Sequence, residues 1–258
     1  MMPCLEIKSL TLRIEDKILI RDLNLAVNSN ERWGLLGRNG AGKTSLLHSI
    51  VGIKKYNSGS IQIDGKEVSS LARSYVATRV GILFQEGIDT LPGTVFETVM
   101  LGRHPHVQSI LKDDPRDIEI ARGALRDLNL DGLEERQVDT LSGGERQRVA
   151  LAMLITQMPQ LYLLDEPSNH LDVANQVQLL GHLQRRVSQL SASLLMATHD
   201  INLAARFCDN IVLLMRNGEY LSGPNQDILT EKNLSRAYDC PVRSISTEDF
   251  TLHYPYYT

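Results

Sequence analysis

The chain has 258 residues, enough for one large domain or two small ones whose core needs no disulfide or metal staple. Apolar residues make up 42% and charged residues 22%, a soluble globular balance, and a formal charge of −4 excludes a global basic excess for nucleic-acid binding. Aromatics at 5% are too sparse for a single-strand stacking platform, and Cys4, Cys208 and Cys240, lacking C-x-x-C spacing, exclude a disulfide framework or cysteine zinc cluster and fit a reducing compartment.

The first apolar run carries Glu6 and Lys8 and has no hydrophobic signal core. No stretch approaches the roughly 18 apolar residues of a membrane span, so the chain is not expected to cross a membrane alone. Residues 5–27 alternate apolar and polar and predict two or three antiparallel strands, broken at Glu15-Asp16-Lys17. Trp33 to Leu36 reads as a short buried strand running into a glycine-rich loop at 37–42, with a helix from about Gly42 to Val51. Ile61 to Gly65 reads as strand and turn, and Val80 to Phe84 as a strand.

From Gln85 to Met158 helical spacing takes over. Thr94 with Glu97 forms a capping box, Asp113-Asp114-Pro115 starts a helix, and Ile118, Ala121, Leu125 and Leu128 share a face. Strands return at Leu161 to Leu164 and Leu194 to Ala197, continuous apolar runs that fit a parallel sheet buried on both faces. Val173, Val177, Leu180, Leu183, Val187 and Leu190 make the crossover helix between them. Ile211 to Met215 is a further strand, and the tail from Asp227 mixes short helix and strand. Tyr254, Tyr256 and Tyr257, around Pro255, are expected to cap the core or pair as an edge strand. The expected architecture is α/β, with a core from 1–85 and 159–258 and a helical insertion at 86–158.

Gly37, Arg38, Asn39, Gly40, Ala41, Gly42, Lys43 and Thr44 spell G-x-x-x-x-G-K-T between a strand and a helix, the context of a Walker A phosphate loop. Its glycines let backbone N–H groups surround phosphate oxygens, at the positive end of a helix that continues through Ser45. Lys43 is placed to reach β- and γ-phosphates, and Thr44 to hold Mg²⁺. Asp165 and Glu166 follow the apolar strand 161–164. Asp165 is expected beside Mg²⁺, and Glu166 is expected to orient or deprotonate an attacking water.

Leu141-Ser142-Gly143-Gly144-Glu145-Arg146-Gln147 opens a long helix about 20 residues before that acidic strand. It resembles the signature motif of ATP-binding-cassette (ABC) ATPases, and the resemblance runs from about residue 5 to 245 with several motifs in order. It implies a P-loop NTPase core of RecA type with an N-terminal antiparallel β subdomain and an inserted helical subdomain. It implies two cassettes closing head to tail, so that Ser142, Gly143 and Gly144 serve the ATP of the partner. Gln85 matches the Q-loop glutamine sensing Mg²⁺ and the attacking water, His199 the switch histidine, and Asp172 the D-loop aspartate. The family usually stacks adenine on an aromatic at a position that here is Ile14. An isoleucine packs on a base without stacking, which puts base selectivity in doubt and admits GTP.

Thr94 to His106 is similar to the T-V-x-E-x-V-x-x-G-R-x-P-H segment of cassettes serving iron–siderophore, haem and vitamin B12 importers. The resemblance implies an ATPase homodimer, peripheral on the cytoplasmic face of the inner membrane. Polytopic permease subunits would dock near 87–106, a substrate-binding protein would act indirectly, and no nucleic acid is bound. His104 and His106 are expected to pack or dock and not to hold a metal. The rival readings are a soluble non-transport cassette, of iron–sulfur assembly or translation type, and an importer of zinc, manganese or another small solute.

Overall fold

The computed structural model describes residues 3–85, 92–107, 114–169, 171–247 and 250–256. The N-terminal part comprises β1 (Leu5–Ile14), β2 (Lys17–Val27), β3 (Arg32–Leu36), α1 (Lys43–Ile50), β4 (Ser58–Ile63), β5 (Lys66–Glu67), α2 (Arg73–Arg79) and β6 (Val80–Leu83). Three helices follow, α3 (Val95–Met100), α4 (Pro115–Asp127) and α5 (Gly143–Gln157). Then come β7 (Leu161–Asp165), α6 (Val173–Gln189), β8 (Ser193–Thr198), α7 (Ile201–Phe207), β9 (Asn210–Leu214) and β10 (Tyr220–Pro224). The chain closes with α8 (Asn225–Ile228), α9 (Glu231–Tyr238), β11 (Val242–Ser246) and β12 (Thr251–Pro255).

β1 and β2 form an antiparallel hairpin, joined by β4 and β5 into a sheet of order β2-β1-β4-β5. The apolar spacing in β1 slips by one residue between Ile7 and Leu10, where the ladder shifts register and Ser9 takes a positive φ of 46°. This is a β-bulge that keeps Leu5, Ile7, Leu10 and Leu12 all buried. A Cβ on Gly59 of β4 would stand 2.5 Å from the Lys8 and Ser9 carbonyl oxygens, so glycine admits the bulge.

The main sheet has the order β10-β9-β3-β8-β7-β6, parallel throughout except for the antiparallel β9–β10 edge. Its central strands alternate between two cores. Leu161, Leu163, Leu195 and Ala197 pack with α1 and the antiparallel sheet, while Tyr162, Leu164, Leu194 and Met196 pack with the helices of the other face. Each such leucine contributes about 1.5–3 kcal/mol by leaving water, which is why these strands read as unbroken apolar runs.

The β7–α6–β8 crossover forms as expected, with one correction. Val173 is 76% exposed, because it directly follows the N-cap Asp172, ahead of the buried stripe Leu179, Leu180, Leu183 and Val187. The spacing also gave no sign of α2, which buries only Val76, nor of the short β5 or the edge strand β10. β11 and β12 pair with each other, so Tyr254 lies on an exposed hairpin and does not cap the core; Tyr256 beyond it is likewise exposed, and Tyr257 lies outside the described residues. Among the described residues, no helix is long and apolar enough to cross a membrane.

Candidate functional site

Register gathers the candidate residues at one end of the main sheet. Leu36 pairs with Thr198, Asp165 with Ala197, and Leu83 with Leu164. The loop after Leu36, the acids ending β7, His199 and Gln85 therefore leave the sheet side by side, at the carboxyl ends of parallel strands. A cavity of 340 Å³ opens there, lined by Ile14, Leu19, Arg38 to Ser45, Gln85, Asp165 and Glu166.

The loop takes its shape from glycines. Gly37, Gly40 and Gly42 have φ of 155°, 74° and 106°. A Cβ on Gly42 would lie 3.0 Å from that of Leu19. Gly42 is also the N-cap of α1 and offers no side-chain cap, and no acid occupies the first turn. The amides of that turn are left for a ligand, with the helix dipole behind them. Lys43 is buried; its ammonium donates to the Gly37 carbonyl at 2.9 Å and lies 3.6 Å from Glu166 Oε1. The Ser45 hydroxyl accepts from Lys54 Nζ at 2.8 Å.

Glu166 turns the chain at the end of β7 with a left-handed φ of 50°, and its N–H bonds the Ala197 carbonyl at 2.9 Å. A non-glycine residue in this conformation carries strain, which is found where a side chain must be aimed. The Glu166 side chain is buried, with Oε2 at 2.9 Å from His199 Nδ1, while the His199 side chain is 61% exposed. Lys43, Glu166 and His199 thus form one chain of contacts across the loop and two strand ends.

Asp165 is buried, and neither carboxylate oxygen meets a hydrogen-bond partner. Burial pushes its pKa up. The Thr44 hydroxyl and the charges of His48 and Lys43 oppose the shift without cancelling it, and Glu166 adds to it. A buried, unpaired carboxylate beside a phosphate-loop threonine fits a divalent cation such as Mg²⁺. A raised folded-state pKa gives stability that is complete below the unfolded value and lost as pH rises through the folded one. Burial thus works against the ionised form of Asp165. Asp165→Asn is therefore expected to raise the nucleotide-free Tm by about 2–4 °C while abolishing the further rise given by Mg²⁺ with ATP. Thermal unfolding with and without Mg·ATP checks both parts.

The signature residues stand elsewhere. Ser142 caps α5: its backbone N–H donates to Glu145 Oε2 at 2.7 Å and its hydroxyl accepts from the Glu145 N–H at 3.3 Å, a full capping box. The Ser142 hydroxyl, which donates to Glu145 Oε2 at 2.7 Å, and the Ser142 backbone N–H together hold the Glu145 carboxyl below the usual carboxylate range. A Cβ on Gly143 would meet nothing within 4 Å, and one on Gly144 only Leu171 at 3.4 Å. Packing within the chain does not require these glycines; their open backbone faces outward. Ser142, Gly143 and Gly144 are not among the lining residues of the phosphate-loop cavity. Asp172 caps α6, accepting from the Asn175 N–H and from Asn175 Nδ2 at 2.8 Å each.

The segment 94–106 is built into the helical part. The Thr94–Glu97 capping box forms. Arg103, mostly buried, pairs with Asp117 at 2.8 Å and donates to the Thr156 carbonyl at 2.9 Å; His106 Nε2 lies 2.9 Å from the Gln157 carbonyl. Both therefore engage the last carbonyls of the signature helix α5. Among the described residues there is no cluster of three or more His, Cys, Asp or Glu side chains placed to hold a metal ion. Leu101, His104, Val107 and Ile120 line a groove of 950 Å³. Residues 87–91 of the expected docking segment, and Asp113, lie outside the described residues. A Cβ on Gly102 would sit 2.1 Å from the Met153 carbonyl oxygen, a backbone clash. Gly102→Ala is expected to cost about 1–3 kcal/mol in stability, read as a lower denaturation midpoint in urea.

Two contributors went unassigned in the sequence. Gln147 lies inside the signature motif, and its side-chain amide donates to the Pro167 carbonyl at 2.9 Å, tying α5 to the turn after Glu166. Tyr238, near the C-terminal end, brings a buried hydroxyl beside Gly37. Neither spacing nor periodicity signals a contact between α9 and the phosphate loop.

Comparison with known proteins agrees with this geometry. Residues 20–169 match the family model described as ABC transporter. The chain is 34% identical over 237 residues to the petrobactin import ATP-binding protein FpuD of Bacillus anthracis, covering 90% of this chain and 85% of the relative. It is 33% identical over 250 residues to the hemin import ATP-binding protein HmuV of Burkholderia ambifaria, covering 90% and 92%. In structure it is similar to a chain from a transporter assigned to the metal-chelate ABC type in an inward-facing conformation, with a TM-score of 0.83, 27% identity and 98% of each chain covered. With a phosphate loop, an acidic strand end and a signature helix in one α/β framework, the chain belongs to the ABC transporter family and is one of its ATP-binding, ATP-hydrolysing subunits.

Proposed function

We propose that the chain energises a bacterial importer of a metal chelate or corrinoid, of the siderophore, haem or vitamin B12 class. It works as a homodimer on the cytoplasmic face of the inner membrane, under separate polytopic permease subunits. The observation that carries this reading is the segment 94–106. Its Gly102, Arg103 and His106 are fastened to the far end of the signature helix, and its exposed Leu101, with Val107 just after the segment, borders the 950 Å³ groove. A permease element seated there would push on the same helix whose N-terminus carries Ser142. The relatives named for petrobactin and hemin import support the cargo class.

In the proposed cycle the phosphates of ATP enter the loop of residues 37–45, and Lys43 exchanges the Gly37 carbonyl for phosphate oxygen. Ile14 and Leu19, on the wall of the same cavity, pack the base. Ser142, Gly143 and Gly144 of a second copy close over the phosphates, with Asp172 nearby at the interface. Thr44, Gln85 and Asp165 would hold Mg²⁺, which when bound supplies charge neutralisation at the phosphate oxygens. Freed from Lys43, Glu166 accepts a proton from water as the water oxygen bonds the γ-phosphorus and the bond to ADP breaks. His199, exposed beside Glu166, donates to the γ-phosphate. Loss of that phosphate releases the second copy and resets the groove.

The test is to tag the Glu166→Gln chain, trap it with ATP in its native membranes and identify what co-purifies. A polytopic membrane protein is expected. Recovery of ribosomes or a soluble iron–sulfur scaffold without a membrane protein would overturn the importer reading and leave the ATPase intact.

A further inference from the structure

Helix α9 ends against the phosphate loop. Ala237 lines a 370 Å³ cavity together with Arg38, Asn39, Gly40 and Ala41. Asp239, whose left-handed φ of 58° stops the helix, stands 3.8 Å from the Arg38 guanidinium and 2.8 Å from that of Arg216. Between these two residues is Tyr238. Its hydroxyl is buried and, among the described residues, has no hydrogen-bond partner. The Gly37 amide lies beside it without reaching bonding geometry, and the charges of Glu166 and Asp200 act on it.

A buried hydroxyl with nothing to bond is costly, and phenylalanine would fill the same volume without that cost. The hydrogen bonds of Gly37 suggest when the hydroxyl finds a partner. The Gly37 carbonyl is held by the Lys43 ammonium at 2.9 Å. When Lys43 turns to a phosphate, that carbonyl loses its donor at the first residue of the loop, the residue whose amide lies beside the phenol.

We propose that Tyr238 is a positioning residue for ATP hydrolysis, its hydroxyl donating to the Gly37 carbonyl that Lys43 releases when ATP binds. The proposal rests on the reading above, in which Lys43 engages phosphate and Glu166 faces the water. Tyr238 does not touch ATP; it fixes the start of the loop, and through the loop the distance between phosphate and Glu166. It also makes the C-terminal helix part of the hydrolysis site.

The test is Tyr238→Phe in the full chain, followed by kcat, KM and Tm with and without Mg·ATP. The nucleotide-free Tm is expected to stay level or rise, since no bond is lost in that state. KM should rise about two- to tenfold because the bond exists only with ATP bound, kcat should fall about tenfold, and the Tm rise on adding ATP should shrink. A kcat and ATP-dependent Tm rise equal to those of the unaltered chain would overturn the proposal. So would a lower nucleotide-free Tm, which would mean that the hydroxyl is already bonded in the empty state. If the unaltered chain hydrolyses ATP and the variant matches it, only the role of Tyr238 fails; if the unaltered chain does not hydrolyse ATP, the reading beneath it fails.

Discussion

Replacing Glu166 by glutamine is expected to lower the rate of ATP hydrolysis by about 10²–10⁴-fold, the range for losing a positioned general base. The side chain keeps its shape and an acceptor oxygen for His199, which now lies 2.9 Å from the carboxylate. What disappears is the ability to take a proton from water. ATP binding should persist or tighten, because glutamine no longer sets a carboxylate 3.6 Å from the lysine that phosphate must recruit. Multiple-turnover phosphate release beside equilibrium ATP titration separates the two effects. Turnover within about a factor of two of the unaltered chain would remove Glu166 from its role.

Lys43→Ala should act in the opposite sense on binding. A charge-assisted hydrogen bond to phosphate is worth about 1.5–3 kcal/mol, so affinity for ATP should fall about 10- to 100-fold. The same change also acts on the empty protein. Lys43 and Glu166 are both less than a tenth exposed, and removing the ammonium leaves Glu166 with the His199 ring as its remaining side-chain partner. Nucleotide-free stability should fall by about 1–3 kcal/mol, less than for a buried carboxylate stripped of every partner. Isothermal titration reads the first effect and urea unfolding the second. Unchanged ATP affinity would contradict the assignment of the phosphate loop.

Much of this site was legible because its chemistry is local in sequence. The phosphate loop needs glycines at fixed places before a helix, and the structure gives Gly37, Gly40 and Gly42 the positive φ values that make them necessary. The strands beside it are buried on both faces, so their apolar runs were unambiguous. The Thr94–Glu97 cap was legible for the same reason, since a span of four residues contains the whole interaction.

The rest was hidden because it depends on distant residues or on little burial. α2 contributes one buried side chain and β10 is an edge strand, so neither imposes a period. Val173 fits the stripe of α6 by spacing but falls on a first turn that packs against little. Gln147 on Pro167, Arg103 on Thr156 and Tyr238 near Gly37 join residues from 20 to 201 positions apart, and spacing along the chain carries no trace of them. The unsatisfied state of Asp165 belongs to the same class: the sequence shows an acid after a strand, and only the packed structure shows that burial outweighs the groups that favour its charge.

The central claim is that ATP is held between two copies, with the phosphate loop of one and Ser142 of the other. It is tested most directly by the oligomeric state of Glu166→Gln with Mg·ATP, compared with the same chain also carrying Ser142→Arg, by light scattering at matched ATP occupancy. The account predicts that Glu166→Gln passes from one chain to two when ATP is added, and that Glu166→Gln/Ser142→Arg binds ATP and remains a single chain. A single-chain Glu166→Gln at full ATP occupancy, or a pair that forms as well with Ser142→Arg, would contradict it.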